Sequence, residues 1–142
     1  MRQNFKSSKE SLPDLRFLHA LLQSIGTGKY NGLAVSEAEY VADSASFIGF
    51  REDSTSTMWL RFDDAYNLVE KFYQRQNEQF LTTAKTIKEI LLRKGLSEGK
   101  LIPEGQGGSE YLRKSKKPPR KWFLVLKMDA VEKFLDENKE EI

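Results

Sequence analysis

The chain has 142 residues, 39% hydrophobic and 11% aromatic, enough for one domain with a buried core. It has no cysteine, which excludes disulfides and thiolate metal sites. No apolar run approaches the roughly 20 residues that span a bilayer. Net charge is only +2, but residues 1–80 carry 9 basic and 11 acidic side chains, residues 81–127 carry 12 and 4, and residues 128–142 carry 2 and 6. A nearly neutral protein thus contains a strongly cationic segment. That is the footprint of a polyanion binder, because Lys and Arg displace condensed counterions from phosphates. The duller account is a lysine-rich loop that only aids solubility.

In chain order, residues 1–12 form a polar lead expected to be disordered. With no apolar h-region they do not make a signal peptide, and the expected location is cytoplasmic. A helix is predicted over residues 14–25, with Pro13 near its first turn and Leu15, Leu18, Leu22 and Ile25 on one face. His19, the single histidine, has no second histidine or cysteine with which to share a metal and reads as structural or exposed. Gly26-Thr27-Gly28-Lys29 suggests a phosphate loop, but Gln23 and Tyr30 stand where a Walker A element needs Gly and Ser or Thr, so a helix stop and a turn are expected. Asn31-Gly32 is a turn dipeptide, and residues 36–41 suit a short helix capped by Ser36 with Glu39 completing a capping box. Residues 13–46 are thus expected to form an N-terminal helical subregion.

Residues 47–50 and 58–62 have strand composition around a polar turn at 53–57, which predicts a β-hairpin. Asp63 or Asp64 would then cap a helix over residues 64–76 with Ala65, Leu68, Val69, Phe72 and Tyr73 on its inner side. After a short linker, a threonine can cap a second helix carrying Ala84, Ile87, Ile90, Leu91 and Leu92, which stops at Arg93-Lys94-Gly95. Leu101-Ile102, a loop over residues 103–121 and the apolar run 122–126 follow, then a helix over residues 129–138 with Ala130, Val131, Phe134 and Leu135 inward. Residues 139–142 are an acidic tail. Two short helices and then two strands joined by a basic loop predict an α+β fold: a winged helix-turn-helix over residues 47–138, with an N-terminal helix and an additional β-hairpin.

On this plan the second helix of the pair would present Thr83, Lys85, Thr86, Lys88 and Arg93 to nucleic acid. The wing would add Tyr111, Arg113, Lys114, Lys116, Lys117, Arg120 and Lys121. With no Asn or Gln on the helix face, contact with the phosphate backbone is expected more than base reading. Tyr111 and Trp122 flank the basic run and either could stack on an unpaired base, although Trp122 leads an apolar strand and reads more naturally as core. No nucleophile with a base is evident, so neither an enzyme nor a cofactor is expected. The expected partner is DNA, with a protein-interaction or dimerisation module, or a small transcription regulator, as the alternatives.

The order "IGF-acid-…-WLRF" at residues 48–62, "AYNLVEKF" at 65–72, "F-L-T-T-…-L-…-K-G-L" at 80–96 and the basic strand pair at 113–126 resembles the C-terminal domain of replicative helicase and primase-helicase proteins of phages, plasmids and mobile elements. The resemblance covers residues 15–127 and lies mainly in hydrophobic spacing. It implies a winged-helix appendage that helps hold a helicase or primase ATPase, in the same or another chain, on DNA.

Overall fold

The computed structural model describes residues 12–26, 32–34, 47–100, 109–115 and 121–141. The described elements are α1 (Pro13–Gly26), β1 (Gly32–Ala34), β2 (Phe47–Glu52), β3 (Thr57–Leu60), α2 (Phe62–Gln74), α3 (Ala84–Arg93), β4 (Arg113–Lys114), β5 (Trp122–Lys127), α4 (Met128–Glu137) and a 3-10 turn (Lys139–Glu141). The fold is α+β. Five strands form one sheet in the order β1-β2-β3-β5-β4; β1 pairs with β2 in parallel and every other neighbour is antiparallel. The turn expected after the helix stop at 26–29, most of the turn at 31–32 and the short helix at 36–41 lie largely or wholly outside the described residues.

Alternation along the strands sends Leu60, Leu124 and Leu126 to one face, where they meet Phe17, Leu18 and Leu21 of α1, Leu68 and Val69 of α2, Ile87 and Leu91 of α3 and Val131 of α4. α1 contributes to this core together with the rest of the described chain. An aromatic chain stitches the helices: Phe80, in the turn between α2 and α3, lies 6.1 Å from Phe17, 6.0 Å from Tyr66 and 5.7 Å from Tyr73, centroid to centroid. On the other face Phe50, Trp59, Phe123 and Val125 form a second cluster. Phe47 packs with that cluster as Phe50 does, an odd number of positions on, because the register with β1 slips at Ile48, a bulge that reverses the alternation.

The predicted hairpin forms, with Gly49 opposite Leu60 and Glu52 opposite Thr57. It is not an addition to the sheet, however, because its second strand β3 also pairs with β5 and lies at the centre. The helix expected from residue 64 begins at Phe62, whose buried ring stacks 5.8 Å from Phe17. Neither aspartate is its N-cap: Arg61 holds that position, and its guanidinium pairs with Asp64 at 2.9 Å and donates to the Phe47 carbonyl. Burying the aromatic ring outweighs a carboxylate cap worth about 1 kcal/mol.

α3 follows its sequence signals closely. The Thr83 hydroxyl accepts the Thr86 N–H at 3.3 Å, and Gly95, at φ +74°, closes the other end. There the Leu96 N–H reaches the Leu91 carbonyl at 2.9 Å and the Gly95 N–H reaches that of Leu92 at 3.1 Å, a Schellman closure with Leu96 buried. Lys94 then pairs at 2.7 Å with Asp14, whose carboxylate is fully buried at the start of α1, so the end of α3 is tied to that of the first helix.

His19 is half-buried, edge-on to Phe72 at 6.3 Å, and burial lowers its pKa below 6.5. The unfolded chain therefore binds a proton more readily than the native one, so this histidine contributes stability above about pH 6.5 that is lost as the pH falls through its native value. Urea titrations of the protein and of His19→Gln should show a steeper loss of stability for the protein with histidine on going from about pH 7 to about pH 5, the difference between the two isolating this group from the carboxylates. Parallel pH curves would deny His19 the role.

Candidate nucleic-acid interface

The segment expected to be one long wing is divided in two. Lys100 and Glu110 exchange backbone bonds of 2.8 Å in both directions, joining the described chain on either side of residues 101–108. Before that bridge Glu98 N–H reaches the Val125 carbonyl and Lys127 N–H reaches that of Leu96; after it, β4 pairs with the start of β5. The same edge of β5 is thus covered twice. The true hairpin tip is the turn between β4 and β5, closed by Ser115 N–H to the Lys121 carbonyl at 2.9 Å and by Lys121 N–H to the Ser115 hydroxyl at 3.1 Å. Leu101-Ile102, expected before the wing, and Lys116, Lys117 and Arg120 lie outside the described residues.

Strand register fixes which way the described wing cations face. Lys114 is opposite Trp122, and alternation along β5 puts Trp122 on the same face as Leu124 and Leu126, the face the helices cover. The Lys114 ammonium sits 5.6 Å from the Trp122 ring centroid. Arg113 is opposite Phe123 on the reverse face, and Glu98 neutralises it at 2.9 Å. Arg113, expected beside Lys114 on one cationic surface, thus lies on the opposite face of the sheet and is paired.

α3 is placed along the sheet by two contacts. β3 ends at Leu60, opposite Leu124, so Phe62 lies at the end of the sheet where β5 begins at Trp122. The Lys88 ammonium is 5.4 Å from the Phe62 ring, which brings Lys88 to that end. Lys85, one turn earlier, is its surface neighbour and is exposed. The other end of α3 joins Lys127 through Leu96, at the far end of β5, and there Arg93 is held by Glu89 at 3.0 Å. Arg93 is thus turned away from the wing. Thr83 and Thr86 are exposed, but their hydroxyls are bonded to each other at 2.9 Å within the cap. Tyr111 is half-buried between the Lys100–Glu110 bridge and β4.

Lys85, Lys88 and Lys114 therefore gather at one end of the sheet, with exposed Lys121 at the mouth of the same turn. Among the described residues no carboxylate pairs with any of the four. Sequence reasoning placed Trp122 in the core, whereas it is 59% exposed; with Leu81, 73% exposed in the turn before α3, it is one of two large apolar side chains in water among the described residues. The apolar run 122–126 concealed this: register puts Trp122 on the face the helices cover, and only its exposure shows that they leave it open. Among the described residues there is no cluster of three or more His, Asp and Glu fit to hold a metal, and no helix long and apolar enough to cross a membrane. Set against family models, curated proteins and solved structures, the chain finds no match.

Proposed function

We propose that this chain is a winged-helix module that binds DNA through the phosphate backbone, an accessory domain engaging DNA for a replication helicase or primase-helicase whose ATPase lies elsewhere. The succession β3, α2, α3, β4, β5, with β3-β5-β4 as the order across the sheet, supports a winged helix. α3 is then the groove-facing helix and the β4–β5 turn the wing. The observation that carries the function is the gathering of Lys85, Lys88 and Lys114, none paired with a carboxylate among the described residues, at one end of the sheet, within the chain's most basic segment.

Four cations meeting phosphates predict that log K falls with log salt at a slope of about −3 to −4. Fluorescence anisotropy of a labelled duplex between about 50 mM and about 300 mM salt measures it. Binding that ignores salt, or no binding accompanied by a concentration-dependent rise in mass, would replace this reading with a protein-interaction or dimerisation module. Strong preference for one duplex sequence would make the chain a transcription regulator.

A further inference from the structure

Resting on that reading, we propose that Trp122 is a stacking platform for an unpaired base, so that the ligand is duplex DNA bearing a single-stranded tail and not uninterrupted duplex. A tryptophan usually buries its ring or gives its N–H a partner inside the fold, as Trp59 does here with its N–H on the Thr57 hydroxyl at 3.1 Å. Trp122 is instead 59% exposed although β5 continues into four buried residues. Its register partner Lys114 covers one side of the ring at 5.6 Å, which limits where the indole can swing and leaves a π-face open.

An open π-face among cations is useful only to a base with a free face. In intact duplex every base is covered by its stacked neighbours, whereas a tail offers successive uncovered bases, each flanked by phosphates that Lys114 and Lys121 can meet. Lys85 and Lys88 lie at the same end of the sheet and would hold the adjoining duplex backbone. The two kinds of contact together fit the place where a duplex opens.

The two tryptophans separate the outcomes, since Trp59 is buried and only Trp122 is open to a base. The full chain is titrated with a blunt duplex and with the same duplex carrying an oligothymidine tail, by anisotropy and by tryptophan emission. Stacking predicts about 5- to 100-fold tighter binding of the tailed form, with emission quenched. Trp122→Ala should erase the preference and the quenching while keeping the salt slope on blunt duplex, and Trp122→Phe should retain part of the preference. An unchanged emission from Trp59 verifies that the variants are folded. Salt-dependent binding with no preference for the tail, or a preference that survives Trp122→Ala, overturns the stacking role and leaves the DNA reading intact. Absence of salt-dependent binding to either form overturns both.

Discussion

Gly49→Ala should destabilise the protein by about 3 kcal/mol or more, lowering Tm by roughly 10 °C. A Cβ on Gly49 would overlap the Trp59 carbonyl oxygen outright and would lie 2.9 Å from the Trp59 carbonyl carbon and 3.0 Å from the Leu60 Cα. All three atoms are backbone, so no rotamer change relieves the overlap. β3 cannot move aside either, because β5 holds it on its other edge with Trp59 opposite Val125 and Leu60 opposite Leu124. β2 must therefore withdraw, which strains the Arg61 N–H bond to the Ile48 carbonyl at 2.8 Å and loosens Phe50 from its stack on Trp59. Folded domains are stable by only about 5–15 kcal/mol, so the loss is a large share of the whole. Urea denaturation with CD detection measures it. A loss under about 1 kcal/mol would mean that the Ile48 bulge absorbs the added methyl by sliding β2.

Local signals in the sequence located most of the described helices and the hairpin, since each rests on nearby chemistry. Thr83 and Gly95 bound α3 through their own hydroxyl and their own φ, and the apolar spacing of α2 and α4 repeats with the helical turn. The departures share one cause, which is that backbone pairing between distant segments has no local signature. β4 is two exposed cations, a strand only because β5 offers a partner. The Lys100–Glu110 bridge cuts the expected wing in two without any unusual residue to announce it. The candidate site was legible as a charge distribution and not as a surface. Lys85, Lys88, Lys114 and Lys121 lie toward one end of the sheet, while Arg93 and Arg113, indistinguishable from them by residue type, are paired with glutamates and face elsewhere. Trp122 was misassigned for the same reason: its neighbours in the chain are core residues, and its neighbours in space are not.

That distinction gives the largest functional effect its control. Each phosphate contact contributes a factor of salt concentration to the power of about −0.9, or about five-fold in affinity at ~0.15 M relative to 1 M. Lys85→Gln/Lys88→Gln should then weaken DNA binding by about 30-fold and reduce the salt slope by about 2; adding Lys114→Gln and Lys121→Gln should bring the loss to roughly 10³-fold. Glutamine is chosen because the Lys88 side chain packs on Phe62, and its stem should stay there when only the charge is removed. Arg93→Gln/Arg113→Gln removes the same formal charge as the first double variant. Those arginines are already paired at 3.0 Å and 2.9 Å, one at the far end of α3 and one on the reverse face of the sheet. Breaking two exposed ion pairs costs about 0–1 kcal/mol of stability each and should leave affinity within a few-fold of the unaltered protein. Anisotropy titrations across salt compare the two doubles directly. Equal losses from both would show that DNA responds to net charge alone, and the face built by α3 and the β4–β5 turn would have no special part in binding.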